Sequence, residues 1–456
     1  GLMKVTYVGA GAFGVLGQAR ELLAHATLAI DLEIALYDLN IERAHAMRTM
    51  IRRAPEFAGS NARITCTHGL DRALDGADFV QLTACPWRHA NNRRSTELCY
   101  WYGWIGSDNV SPNGAFCSLR SATLALDVAR RMERCSPTGT LIVFTNPIPV
   151  LTAAVNRHTR IRAVGICGGQ RNYIHNIAHM MGWHDLNWGL DAEVAGINHF
   201  SWIMSLTLDG EDFLPRLDAR WREGLDWDHI DTIGNADVLR RTFPRERYAG
   251  ETFGAILYSC EYDGLPHLCF YDEEVMRLRP AVKPPIAPED ARGDPGRRSG
   301  KNFITMATSD LPPDFWTYDH RRAKAWDREP YPAQVATRMI RGLVGDMPRE
   351  RVTTSYLNQG AVAGFPDDVV LEYSTVFSSD GISHDRTYTL PPATVGVSRA
   401  LAEFQTLTAD AIAESDRRKF LQAIYAYPMC RDCRKVEAFV KEMCVINNDE
   451  LPAFMK

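Results

Sequence analysis

The sequence predicts an α/β fold: a Rossmann-type doubly wound parallel sheet over residues 3–200, then an α+β lobe over residues 201–456. Three observations predict it. A glycine-rich turn joins the first strand-like run to the first helix-like run. Strand and helix patterns then alternate as far as Ile166. From Met204 that alternation gives way to shorter, mixed elements. A chain of 456 residues is long enough for two such lobes.

Met3 to Val8 alternates and is rich in β-branched residues, so it reads as the opening strand. Gly9-Ala10-Gly11-Ala12-Phe13-Gly14 follows at once, and Val15 to His25 has helical spacing. This is a G-x-G-x-x-G turn with a strand before it and a helix after it, the setting in which the motif cradles a dinucleotide. The first glycine makes the turn, the second lets a pyrophosphate approach the backbone, and the third lets the helix pack close to the strand. The helix N-terminus then faces the phosphates. Leu32 to Tyr37 is the second strand. Asp38 ends it, about two dozen residues after Gly14, where a carboxylate can accept both ribose hydroxyls. An acid there favours NAD over NADP. Asp38 is also a candidate N-cap for a helix over Ile41 to Arg53.

Ala73 to Ala77 closes a helix, and Phe79 to Thr83 is a buried strand leading to Cys85-Pro86. Trp87 to Tyr102 is polar-aromatic and partly helical, residues 105–114 form a turn-rich loop, and Ala115 to Cys135 is a helix. Leu141 to Phe144 is another strand, after which Thr145-Asn146-Pro147 places Asn146 at the carboxyl edge of the sheet, where ligands bind in open parallel sheets. Val150 to His158 reads as a helix, Arg162 to Ile166 as a strand, and Asn172 to Met181 as a helix. Residues 276–302 are rich in Pro, Arg and Gly and read as an exposed loop or lid. Helices follow over Arg321 to Glu329, Ala333 to Leu343, Val397 to Ala413 and Asp416 to Tyr427.

Cys167, in Gly165-Ile166-Cys167-Gly168, ends a strand. His199, in Gly196-Ile197-Asn198-His199-Phe200-Ser201-Trp202, follows a second short apolar run. A thiolate and an imidazole brought together make half of a site for a divalent transition metal, with positions left open for substrate. A buried cysteine and a core histidine are the plain alternative. Cys430 and Cys433, with Cys444 downstream, form a single C-x-x-C, too little for a structural zinc site.

Composition narrows the rest. Hydrophobic residues make up 45% and charged residues 23%, and the net charge of -5 suggests no nucleic-acid or membrane surface. Eleven scattered cysteines are not a disulfide framework, and no apolar run reaches the ~18 residues of a membrane span. A reducing cytoplasm is the expected compartment.

Taken together, these segments resemble glycoside hydrolase family 4, the NAD- and divalent-metal-dependent glycosidases with a lactate/malate dehydrogenase-like fold. The resemblance rests on Lys4 to Gly11, Leu36-Tyr37-Asp38-Leu39, Thr145-Asn146-Pro147, the Gly165-x-Cys167 turn, Gly196 to Trp202, Asn358-Gln359-Gly360 and Pro366-x-Asp368. The branch it is most similar to comprises α-galacturonidases and α-galactosidases, which act on unphosphorylated sugars. The resemblance implies that Cys167 and His199 hold Mn2+ or a similar ion, that Asn146 and Asn198 contact a glycoside near metal and nicotinamide, and that Asp38 holds the adenosine ribose, with Cys85 also lining the NAD site. It implies transient oxidation at sugar C3, loss of the C2 proton, elimination and addition of water. It also implies a homodimer or homotetramer.

Two departures stand out. Relatives carry a polar residue after the metal-binding cysteine, and here it is Gly168, which has no proton to give; Gln170 and Arg171 are candidates to bind an acidic sugar substituent, with an ion pair at a helix start the alternative for Arg171. The base, a Tyr or Asp in relatives, has no unique match. His267 and Asp263 lead, with Tyr258 and Tyr271 behind, His267 because an imidazole pKa suits proton abstraction at neutral pH; a packed core residue is the alternative for His267. The alternatives are an NAD-dependent dehydrogenase of a sugar or hydroxy acid, and an NAD- and metal-binding member that has lost turnover.

Overall fold

The computed structural model describes residues 1–12, 14–167, 190–224, 236–258, 263–268, 279–287, 304–312, 315–316 and 333–456. The expected helices over 172–181 and 321–329 lie outside them, as do Phe13, Gly168, Gln170, Arg171, Tyr271 and most of 276–302.

Six strands alternate with helices through the first part of the chain: β1 (Met3–Val8), β2 (Leu32–Tyr37), β3 (Arg63–Cys66), β4 (Phe79–Leu82), β5 (Thr140–Val143) and β6 (Arg162–Gly165). They pair in parallel in the order β6-β5-β4-β1-β2-β3. Every residue of β4 and β5 is buried, as expected of central strands covered by helices on both faces. Each buried Val, Leu or Ile there contributes about 1.5–3 kcal/mol relative to exposure. The order reverses beside β1, so the carboxyl ends of β1 and β4 flank a topological switch point.

The second part adds β7 (Leu190–Ile197), β8 (Phe200–Leu208), β9 (Glu211–Asp212), β10 (Leu257–Tyr258), β11 (Glu350–Leu357), β12 (Val370–Ser378) and β13 (Gly381–Ser383). These extend the same sheet. β11 lies antiparallel to β6 through Ser355 and Gly165, β12 pairs with β11, and β7 pairs with β12 through Glu372 opposite Gly196. β7 and β8 form a hairpin, and β10 pairs with β8. A division at residue 200 therefore falls at the first residue of β8, within a sheet shared by both parts. Helix Ala333–Leu343 also packs on helix Gly14–Ala24, and helix Val395–Glu414 on helix Ile148–His158.

One long helix begins earlier than the sequence suggests, because its capping residue lies upstream of the apolar run. Ser111 accepts from the Gly114 N–H and starts a helix at Pro112 that ends at Cys135. Asn40, rather than Asp38, caps helix Ile41–Arg53 by accepting from the Glu42 N–H. The polar-aromatic stretch is helical over His89–Trp101, and the two C-terminal helices run over Val395–Glu414 and Arg417–Ala426. Among the described residues no helix is long and apolar enough to cross a membrane.

Candidate active site

The carboxyl ends of five parallel strands converge on one edge. Gly9 follows β1, Asp38 follows β2, Cys85 lies just beyond β4, Asn146 beyond β5 and Cys167 beyond β6. The turn between β7 and β8 brings Asn198 and His199 to the same place by way of β11 and β12.

The glycine turn is built by close approach. Gly9 has φ +91°, and a Cβ there would lie 2.5 Å from the backbone N of Ala84. At Gly11 a Cβ would meet Arg43 at 2.7 Å and Asp38 Oδ2 at 2.9 Å. The Gly11 N–H donates to Asp38 Oδ2 at 2.9 Å, and the Asn40 N–H donates to Asp38 Oδ1 at 2.9 Å, so the carboxylate ties the turn to the end of β2. Ala12 closes the turn by donating its N–H to Gly9 O. The third glycine behaves differently from expectation: a Cβ on Gly14 would meet nothing within 4 Å. Close packing is supplied by Gly9 and Gly11, and Gly14 lies at the N-terminus of helix Gly14–Ala24.

Cys167 Sγ and His199 Nε2 lie 3.7 Å apart. Two ligands at bond lengths of about 2.3 and 2.1 Å across a tetrahedral angle would be about 3.6 Å apart, so the pair can share one ion. His199 sits at φ +70°, an uncommon conformation for a side-chain-bearing residue. Its Nδ1 is 2.7 Å from Asp263 Oδ2, and the two side chains retain 15% and 6% exposure. A carboxylate on Nδ1 holds the proton there and leaves the Nε2 lone pair facing the thiol, the arrangement that orients metal-ligating histidines.

Around this pair lies a set of amides. The Asn109 Nδ2 donates to Asn146 Oδ1 and to Asn198 Oδ1, both at 3.3 Å. The Asn146 Nδ2 donates to Asp108 Oδ1 at 3.2 Å, and the Asn198 Nδ2 donates to Glu372 Oε2 at 2.6 Å. The Ser201 hydroxyl donates to Glu372 Oε1 at 2.8 Å. Burial raises the Glu372 pKa, an effect partly offset by these donors.

Of the candidate bases, the structure brings Asp263 to the metal pair. His267 is buried, with Nε2 3.0 Å from the Tyr427 hydroxyl and its ring against Phe200 and Tyr427. Burial pushes its pKa down to about 4, so the expected match to neutral pH does not hold for this ring. Tyr258 lies on β10 opposite Ser201, and its side chain lies outside the described residues. Cys430 is buried, Cys433 exposed and Cys444 half-buried.

Family models match both parts of the chain: "Family 4 glycosyl hydrolase" over residues 4–183 and "Family 4 glycosyl hydrolase C-terminal domain" over residues 194–430. The chain belongs to glycosyl hydrolase family 4. Among curated relatives, this family 4 chain is 29% identical to an alpha-galactosidase of Bacillus subtilis, covering 51% of this chain and 54% of that one. It is 22% identical to a probable 6-phospho-beta-glucosidase of the same organism, covering 91% and 88%, and 28% identical to its alpha-galacturonidase, covering 47% and 49%. It thus spans about half the length of the galactosidase and galacturonidase but most of the phosphoglucosidase. Among solved structures, it resembles the 6-phospho-beta glucosidase from Thermotoga maritima with manganese, NAD+ and glucose-6-phosphate, at TM-score 0.75, 17% identity and coverage of 98% and 99%. A 6-phospho-alpha-glucosidase from gut microorganisms in complex with NAD and Mn2+ gives TM-score 0.75 at 18% identity, with 99% of each chain covered. At these identities the likeness is one of fold: a Rossmann-type sheet with a C-terminal lobe.

Sequence reasoning missed Asp108, Asn109 and Glu372. The signal for Glu372 was a single acid inside the apolar run Val369 to Phe377, in a strand buried on both faces. Asp108 and Asn109 sit in the 105–114 loop, and no pattern in that loop marks them.

Proposed function

We propose that this chain is a glycosidase that uses NAD and a divalent metal ion, Mn2+ among them, to cleave an unphosphorylated glycoside. The observation that carries the reading is the Cys167–His199 pair, with His199 oriented by Asp263, at the sheet edge that also carries the glycine turn and Asp38. Cys167 and His199 would hold the ion, and Gly9, Gly11, Ala12, Gly14 and Asp38, with Cys85 and Asn146 alongside, would form the NAD site. When bound, NAD supplies a hydride acceptor for sugar C3 and the metal supplies Lewis acidity at the adjoining oxygens, which acidifies the C2 hydrogen so that the C1 group can be eliminated, water added and hydride returned.

The chain's own residues bind, orient and move a proton. Asp263 has one carboxylate oxygen committed to His199, which leaves the other to accept the C2 proton. Asn146 and Asn198 flank the metal pair as contacts for sugar hydroxyls. The alpha-galactosidase and alpha-galacturonidase relatives, at higher identity than the phosphoglucosidase, support an unphosphorylated sugar. Gln170 and Arg171 would meet an acidic substituent if the sugar carries one. A homodimer or homotetramer is the proposed assembly.

The test is incubation with NAD, Mn2+ and a panel of nitrophenyl α- and β-glycosides and uronides in D2O. Aglycone release, deuterium at product C2 and no accumulation of NADH are the expected results. NADH accumulating without aglycone would replace this reading with a dehydrogenase.

A further inference from the structure

The two amides that flank the metal pair are held by a directional network. Asn198 gives one N–H to Glu372 and accepts from Asn109. Asn146 gives one N–H to Asp108 and accepts from the same Asn109 nitrogen. A primary amide offers two donors and two acceptor lone pairs, so each side chain keeps one N–H and one lone pair for a ligand. A carboxylate accepts only, and it therefore decides which end of the neighbouring amide faces it. With Asn198 turned end for end, its oxygen would meet the Glu372 carboxylate and its NH2 the Asn109 NH2, two repulsive contacts replacing two hydrogen bonds.

The backbone of Asn109 is itself closely packed. Its carbonyl carbon and oxygen fill the space that a Cβ on Gly114 would occupy, at 2.9 and 2.0 Å, at the start of helix Pro112–Cys135. Glu372 sits inside the sheet, paired across from Gly196 two residues before Asn198, and is 3% exposed. Its hydrogen-bond partners are the neutral Asn198 amide and Ser201 hydroxyl. A buried carboxylate held by neutral donors is a poor choice for stability, since an apolar residue of similar volume would serve the strand better. Such local violations of core chemistry are expected where function requires them.

We propose that Glu372 is a positioning residue: it fixes the orientation of the Asn198 amide, as Asp108 fixes that of Asn146, so that Asn198 presents one defined donor and one defined acceptor to the sugar. The proposal rests on the glycosidase reading for its substrate, and its test is built to fail separately from that reading.

The variants are E372Q and E372A, compared as the full chain with NAD and Mn2+ supplied. In E372Q the amide oxygen still accepts from Asn198 and the amide nitrogen can donate to Ser201 with its hydroxyl reversed. In E372A both contacts are gone. Misplacement of a substrate-holding group on this scale costs about 100-fold in kcat/KM, so E372A is expected to fall by about that factor and E372Q to stay within about fivefold of the parent. Mn2+ and NAD dissociation constants are expected to stay within about twofold in both variants. Equal losses in E372Q and E372A, or a loss in E372A that matches its folded fraction by circular dichroism, would overturn the proposal.

Side-chain amide NMR on 15N-asparagine-labelled protein, with Asn198 assigned through N198S, supplies the independent readout. The Asn198 NH2 signal should keep its shift and slow exchange in E372Q and lose both in E372A; an unchanged signal in E372A would overturn the proposal. If the parent protein cleaves nothing in the glycoside panel, the glycosidase reading fails and the NMR comparison still decides the role of Glu372.

Discussion

Replacing Asp263 with Asn tests the metal pair through a residue that would not itself touch the ion. The His199–Asp263 contact is 2.7 Å between two side chains with little exposure. Hydrogen bonds to a charged group of this kind are worth about 1.5–3 kcal/mol. The asparagine can still accept from Nδ1–H, but it can equally donate to Nδ1, which moves the proton to Nε2 and removes the lone pair facing Cys167. At about 1.4 kcal/mol per factor of ten, the expected loss in Mn2+ affinity is about 10–100-fold, the range found for partners of metal-ligating histidines. Free Mn2+ is followed by electron paramagnetic resonance during titration of parent and D263N, and NAD affinity is measured in parallel by fluorescence. NAD binding should move by less than about twofold, because Asp38 and the glycine turn are untouched. A folded D263N with Mn2+ affinity within about threefold of the parent would refute the assignment of His199 as an oriented metal ligand.

Asp38→Ala removes both the expected ribose acceptor and the tie to the Gly11 N–H, so NAD affinity should fall by about tenfold or more while Mn2+ affinity is kept, as equilibrium titration will read. His267 takes up a proton near pH 6.5 when unfolded but only near pH 4 in the native state. Stability should therefore decline as pH falls through that window, by up to about 3 kcal/mol, and urea melts of His267→Phe should show a flatter pH dependence. Identical slopes would rule out this titration as the source. A Cβ at position 165 would lie 2.3 Å from Ile148 Cγ2 and 2.7 Å from Thr152 Oγ1, so Gly165→Ala should cost about 1–3 kcal/mol in chemical denaturation.

The parallel half of the sheet was legible because its signals are local. Strand Met3–Val8, the glycine turn, Asp38 at the end of β2 and Asn146 and Cys167 beyond β5 and β6 all follow from periodicity and from the rule that ligands gather at strand carboxyl ends. The Cys167–His199 pair could be named from sequence, but its 3.7 Å separation depends on β7 crossing to the sheet through β11 and β12. That antiparallel extension was read only as mixed elements. Strands β11 and β12 are buried almost throughout and lack the alternation that marks a half-exposed strand.

Side-chain partners chosen across long separations were the least legible. Asp263 meets His199 across 64 residues, and Glu372 meets Asn198 across 174. Which candidate base reaches the metal pair depended on direction rather than burial, since both are buried: the 3-10 turn Leu265–Leu268 carries His267 into the aromatic cluster with Phe200 and Tyr427, whereas Asp263 before it meets His199. The sequence by itself determined the kinds of chemical group available and the strand ends that present them, because backbone preference and hydrophobic period act over a few residues. Tertiary structure alone decided how those groups are paired, oriented and desolvated, because these depend on contacts between strands that the chain order does not place side by side.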